Sequence, residues 1–256
     1  MARTNVHYGW VPDLPDQRDH MFAAPTAVLA KMPAKVDLRP QCPPVVDQGQ
    51  LGSCTANAIG NAHRFDQLKQ GLGAKSFMPS RLFIYYNERV MENSVGTDSG
   101  AMIRDGIKSI AQQGVCPEAD WPYLITKFKL KPPAACYKTA LKYQALTYRR
   151  VTQNAAQLKS CLASGYPFVF GFTVYESFES QAVAKTGVVP MPAHTEKVLG
   201  GHAVLAVGYD DTTQRFIVMN SWSTAWGQKG YFTIPYAYLT DPGLASDFWT
   251  VSTVEV

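Results

Sequence analysis

The chain has little of what would announce a metal protein, a membrane protein or a nucleic-acid binder. None of its five cysteines (Cys42, Cys54, Cys116, Cys136 and Cys161) stands in a C-x-x-C pair, which argues against a zinc or iron–sulfur framework. Their odd number leaves at least one thiol unbridged in a monomer, while two disulfides remain arithmetically open. No apolar run approaches the ~20 residues of a membrane-spanning helix. The formal charge is only +4, without any block of like charges. The short basic run KFKLK, holding Lys129 and Lys131, reads as a solvated loop, so neither nucleic acid nor membrane is an expected partner. The first residues, MARTNVHYGWVPDLPDQRDH, lack the long apolar core of an export signal, and a cytoplasmic location is expected over a secreted one. Repeats and low-complexity tracts are absent as well. What remains is 46% hydrophobic and 17% charged, over 256 residues. Such a chain can bury one large core, or two halves that share a cleft.

Residues 1–35 read as an N-terminal arm. The prolines of VPDLPDQRD oppose a regular helix, and a weak helical stretch follows near PTAVLAKM. Tyr8, Trp10, Val11, Leu14, Met21 and Phe22 give the arm more apolar surface than water tolerates, so it should pack on something. Residues 36–256 form the main domain, with about 48–150 mainly helical and about 151–256 mainly β. Helical spacing begins at Cys54 and stops at Gly71, with Ser53 as N-cap. Further helices are expected over PSRLFIYYNERVM, with Pro79 in its first turn, over AMIRDGIKSIAQQG and over AAQLKSCLASG. PFVFGFTV, GHAVLAVGYD, RFIVMNSW and GYFTIPY then read as strands. Helices first and strands later make the class α+β.

Cys54 lies where the glycine loop DQGQLGS becomes a helix. A helix N-terminus and a nearby imidazolium both favour a thiolate, although a lone cysteine is more often a buried structural residue. His202 opens the run GHAVLAVGYD behind two glycines, and Asn220 ends the run RFIVMN. Adjacent antiparallel strands bring the two together, so that the amide oxygen orients the imidazole while Trp222 excludes water. Gln48 precedes Cys54 by six residues and can aim an amide N–H at a developing oxyanion, with the Cys54 N–H as second donor. His63, further along the Cys54 helix, cannot fold back to the thiol and reads as structural. His194 lies in a loop, and His7 and His20 lie in the arm. Asp98, Asp210 and Asp211 read as turn residues, and Trp121 and Tyr123 as core anchors.

The stretches VDLRP, DQGQLGSC, SGAMIRDGIKSIAQQGVCPEADWPY, GHAVLAVGYD and NSWSTAWGQKGYFTI together resemble the papain-like (cathepsin-like) cysteine peptidases, in a bacterial-type form with a short arm. The resemblance covers about residue 33 to the C-terminus. His202 lies within the roughly 130–150 residues expected after such a nucleophile. The resemblance implies a two-half fold, helical and β-barrel-like, with the cleft between the halves. It implies a cysteine endopeptidase that forms a Cys54 thioacyl-enzyme, uses His202 as general acid and base, and needs no metal or organic cofactor. It also implies that Ser99 and Gly100 pair with an extended peptide or protein substrate. An apolar pocket is implied near Ala101, Met102, Gly171, Gly200 and Gly201, roomy enough for Leu or Phe. The departures are Leu51 and Thr55, where the family has a cysteine and an aromatic residue, and GTDSG, where another cysteine is usual. One family disulfide therefore cannot form, and Cys136 is left without an evident partner.

Two other classes fit the same residues. One is a peptide ligase or transpeptidase running the same acyl-enzyme; the other is a non-catalytic peptide-binding relative, whose usual mark is loss of the cysteine or histidine. The arm is too short and too proline-rich for the family's long helical prodomain. The expectation is that residues 1–32 fold back along the body and restrict the cleft; the rival expectation is a strap on the back of the β half.

Overall fold

The computed structural model describes residues 7–254. In chain order the elements are β1 (Trp10–Val11), α1 (Thr26–Ala30), β2 (Lys35–Asp37), α2 (Cys54–Lys69), α3 (Arg81–Met91), β3 (Ala101–Met102), α4 (Ile103–Gln112), α5 (Ala134–Ala140) and β4 (Ala145–Arg150). They continue with α6 (Ala155–Ala163), β5 (Phe168–Tyr175), α7 (Gln181–Thr186), β6 (Val198–Asp210), β7 (Arg215–Met219), β8 (Tyr231–Pro235), α8 (Tyr236–Thr240) and β9 (Ala245–Val254). The class is α+β, as the run of helices followed by strands implies.

Small residues let α2 sit in the centre. Ala56, Ala58, Gly60 and Ala62 allow α3, α4 and the sheet to close around it, and thirteen of its sixteen residues are buried. The helix ends at Lys69, and Gly71 takes the left-handed φ of +80° that turns the chain away. Pro79 falls just outside α3: Ser80 is the N-cap, accepting from the Phe83 N–H at 3.2 Å. Gly114, at φ +71°, closes α4 where a Cβ would meet the Ala140 carbonyl oxygen.

The sheet has seven strands in the order β4-β9-β5-β6-β7-β8, with β2 added antiparallel to the far end of β6. Two of these strands, β4 and β9, extend the four that the patterning marks. The sheet does not close into a barrel among the described residues. Its outer strands meet other segments instead: Met21 bridges to Arg150 on β4, and Val188 bridges to Thr233 on β8. Strand period two puts Phe168, Phe170 and Phe172 on one face of β5, among Phe178, Phe216, Phe232 and Phe248. Gly171 is on the opposite face and leaves a gap there. The arm fills that gap.

Candidate active site

The loop ahead of α2 is fixed before it reaches the thiol. Asp47 Oδ1 accepts from the Gly49 N–H at 2.9 Å. Gly52 N–H donates to both oxygens of Asp98, at 3.1 and 3.0 Å. Asp98 also receives the Tyr85 hydroxyl and pairs with His7 at 2.9 Å. It is therefore more than the turn residue its neighbours suggest: it ties the glycine loop to α3 and to the arm. Ser53 stands at the N-cap of α2, as expected, but its side chain does not cap the helix. Its hydroxyl lies 2.5 Å from the Tyr123 hydroxyl and accepts from Asn57 Nδ2 at 3.0 Å.

Gln48 is fully buried. Its Nε2 donates to the Leu51 carbonyl at 2.9 Å, which uses one of two amide hydrogens. Its Oε1 accepts from Ser221 Oγ at 2.6 Å, and its backbone N–H donates to the Ser221 carbonyl at 2.9 Å. Ser221 thus sets the direction of the Gln48 amide. The NSW motif contains this residue, but only the tertiary pairing shows its task.

His202 on β6 and Asn220, just past the end of β7, come together, with 2.9 Å between His202 Nε2 and Asn220 Oδ1. The same Oδ1 accepts from the Ser221 N–H at 2.8 Å. An atom that accepts a backbone N–H is the amide oxygen, so Nε2 must carry the hydrogen. Trp222 stacks on the imidazole, 5.0 Å between centroids and 27° between planes. α2 packs on β6, and the Cys54 thiol meets the backbone of Ala203, next to His202.

Burial pushes the Cys54 thiol up to about 12, and the charge of Glu88 adds to this. Hydrogen bonds from the Ala203, Gly9 and Thr55 backbones pull the other way without prevailing. Burial thus works against the thiolate that a helix N-terminus favours. Glu88 is itself fully buried beneath Thr55, accepting its hydroxyl at 2.6 Å, and burial raises its carboxyl well above the usual range. His63 Nε2 donates to the Tyr143 carbonyl and Nδ1 accepts from the Gln67 amide inside the core, and burial lowers it to about 4, in keeping with a structural residue.

What covers the thiol is the arm. Gly9 packs so tightly on the Gly52 carbonyl that a Cβ would lie 1.7 Å from its oxygen. The Gly9 carbonyl accepts from the Ala101 N–H at 2.8 Å, and Trp10–Val11 run parallel to Ala101–Met102. The Trp10 indole fills the gap at Gly171 and Gly201, where added Cβ atoms would lie 1.9 and 2.6 Å from the ring. Tyr8 lies against Gly200, edge-on to His202 at 6.1 Å, and near Trp222. The residues expected to bind substrate are thus brought onto one surface, and all but Ser99 meet residues 8–11. Ser99 turns its hydroxyl to the Gly100 carbonyl.

The gap is not wholly apolar. Asp247, from β9, accepts the Trp10 indole N–H at 3.1 Å and the Asp13 N–H at 2.8 Å. Arg150 supports its other oxygen at 3.1 Å. Asp247 adopts φ +60°, and nothing local in ASDFWT marks it as facing the cleft. His194 is exposed in its loop, away from these contacts. All five cysteines are unbridged.

A helix-borne thiol, an imidazole oriented by an amide on the facing sheet, and a groove between them define a cysteine peptidase of the papain-like class. The chain belongs to the papain family of cysteine proteases, whose family profile matches residues 32–249. It is a hydrolase of that family. A peptidase C1-like protein of Acanthamoeba polyphaga mimivirus is 46% identical over 97% of this chain and 87% of that protein. Cathepsin B-like CP3 of Giardia intestinalis is 30% identical over 82% of this chain and 71% of its own length. The crystal structure of xylellain, a cysteine protease from Xylella fastidiosa, superposes with a TM-score of 0.91 at 45% identity, covering 98% of this chain and 97% of that one.

Proposed function

We propose that the protein is an endopeptidase that cleaves extended peptides through a Cys54 thioacyl-enzyme, and that residues 7–13 hold its cleft shut. The observation that carries the reading is the fixed His202–Asn220 hydrogen bond beside the Cys54 thiol. With Nε2 bound to Asn220, Nδ1 is the nitrogen that takes the thiol proton. The Cys54 sulfur then adds to the substrate carbonyl. Its oxygen gathers charge toward the second Gln48 amide hydrogen and the Cys54 N–H. His202 returns the proton to the leaving amine, which departs as the new N-terminus. Water, deprotonated by His202, attacks the thioester and releases the acid.

The arm supports endo-action. The chain continues on both sides of Gly9, so the groove accepts an internal stretch of polypeptide. A slot that takes an indole also takes Leu or Phe. The same contacts support inhibition: the arm covers the thiol, occupies the slot and satisfies the Ala101 edge that would pair with substrate. Residues 1–6 of the arm lie outside the described residues.

A thiol-directed peptide epoxide tests the reading. It should modify Cys54 alone, and Cys54→Ala should abolish both labelling and peptide hydrolysis with the melting temperature retained. Full hydrolysis by Cys54→Ala would end it. Amide product in the presence of added amine acceptors, in place of free carboxylate, would favour a ligase.

A further inference from the structure

We propose that Cys116 and Cys136 are a redox modification site: a latent disulfide pair that locks the segment between them against the Gln48 loop. The two thiols lie within interaction range of each other, and Cys136 donates to the carbonyl of Asp120, four residues after Cys116, at 3.8 Å. Both are buried, at 0% and 3% exposure. The other three thiols are elsewhere. Cys42 donates to the Leu38 carbonyl at 3.4 Å, Cys161 to the Tyr166 carbonyl at 3.5 Å, and Cys54 lies in the cleft.

The backbones that carry the pair are already joined. Val115 N–H donates to the Tyr143 carbonyl at 3.2 Å, and Ser80 N–H to the Cys116 carbonyl at 2.8 Å. Gly114 approaches Ala140 so closely that a Cβ would lie 1.8 Å from its oxygen. The two stretches of backbone are thus held side by side close to the pair.

The segment between the cysteines braces the site. Tyr123 donates its hydroxyl to the Gln48 carbonyl at 2.8 Å and meets Ser53. Arg81 links Glu118 at 2.8 Å to the Asp47 carbonyl at 3.1 Å, and stacks over Tyr123. Closing the base of this segment therefore bears on the loop that carries Gln48; this second part rests on the function proposed above.

The oxidant is a small disulfide, such as oxidised glutathione. Cys136, the less buried sulfur, attacks as thiolate and forms a mixed disulfide, and one small thiol leaves. Cys116, deprotonated in turn, attacks the Cys136 sulfur and expels the second small thiol. The two protein thiols lose two protons and two electrons; one small disulfide becomes two small thiols.

The test is mass mapping of the full chain with Cys54 blocked by the peptide epoxide. After incubation with oxidised glutathione, the protein should lose about 2 Da on forming one disulfide. A non-reducing tryptic digest should yield the Cys116 and Cys136 peptides joined. Cys136→Ser and Cys116→Ala should each leave no joined peptide, and the oxidised wild type should melt several degrees above the reduced form. Hydrogen exchange over residues 47–53 should slow on oxidation. Thiols that all remain alkylatable after oxidation and unfolding, or a bridge through Cys42 or Cys161, would overturn the site. A Cys116–Cys136 bridge with unchanged exchange at 47–53 would overturn the brace. The mass readout does not depend on Cys54 chemistry, so its failure is distinct from failure of the peptidase reading.

Discussion

Residues 8–13 and residues 19–22 belong to one arm but are held in different ways. The first stretch is held by shape, by one short backbone pairing, and by hydrogen bonds from Trp10 and Asp13 to Asp247 and from Arg104 to Asp13. Gly9 fits where no other residue can, and Trp10 enters a slot kept open by two glycines. The second is held by backbone and charge: His20 accepts the Arg150 N–H, Phe22 N–H donates to the Arg150 carbonyl, and Asp19 pairs with Arg104 and Arg150. The first stretch lies over the groove residues, and the second extends the edge of β4. A cover and a strap are thus the roles that the two segments invite, the strap lying along the edge of β4 and not on the back of the β half. Inhibition and stability should be separable by mutation.

Gly9→Ala gives the sharpest separation. The new Cβ cannot coexist with the Gly52 carbonyl, so residues 8–11 must lift. Labelling of Cys54 by a peptide epoxide should accelerate by about a hundredfold, the effect of ~2.7 kcal/mol on the closed state. The melting temperature should stay within a degree or two. Slower labelling would break the comparison. Trp10→Ala should act the same way with less force. Losing a large buried apolar side chain weakens docking by about 1.5–3 kcal/mol, a labelling gain of roughly tenfold to a hundredfold.

Asp19→Asn should invert the pattern. A charge-assisted contact of this kind contributes about 1.5–3 kcal/mol, and a protein of this size loses roughly 2–4 °C per kcal/mol. Calorimetry should show that fall, while labelling changes by less than about threefold. A large labelling gain without loss of stability would show that the two stretches act as one.

The smallest effect is that of pH. Burial first, and the charge of Asp247 second, raise Asp13 from 3.8 to about 6 in the docked arm. Its neighbour Glu92 is raised by burial to about 7, and Asp105 is raised as well; Arg104 and Arg150 face them with opposite charge. A released Asp13 returns to about 4, so the docked state binds the proton more tightly. This stabilisation of the closed form is complete below about pH 4 and is lost as pH rises through 6. The labelling rate of the full chain, divided by that of a chain lacking residues 1–32, should therefore rise from pH 5 to 7.5, by at most about tenfold. Dividing removes the titration of Cys54 itself. A ratio that falls over this range would contradict the assignment.

Much of the fold and of the candidate site is legible in the sequence because the signals are local. A glycine loop running into Cys54, a histidine at a strand mouth and NSW at a strand end each carry their own geometry. The apolar character of HYGWVPDLP is local too, and it suffices to say that the arm packs somewhere. The rest depends on contacts distant in the chain. Asp247 meets Trp10 only because β9 lies beside β5. Asp98 reads as a turn until Gly52 is seen against it, and Cys136 finds Cys116 only once the segment between them has folded back. The environment of Cys54 divides in the same way: the helix N-terminus is visible in the sequence, but the desolvation that opposes it comes from tertiary packing.

The placement of Gly9 and Trp10 has a consequence for how the groove is opened. An occupant on the same chain acts at an effective concentration of the order of millimolar, whatever the protein concentration. Residues 14, 15, 17 and 18, between the two held stretches, are exposed. A single cut there leaves 19–22 seated on β4 and turns residues 8–13 into a separate peptide. That peptide must then rebind at its own dilute concentration, so closure that was independent of dilution becomes dependent on it. One nick converts a lock into a ligand, and the change is irreversible without any contact in the groove having altered.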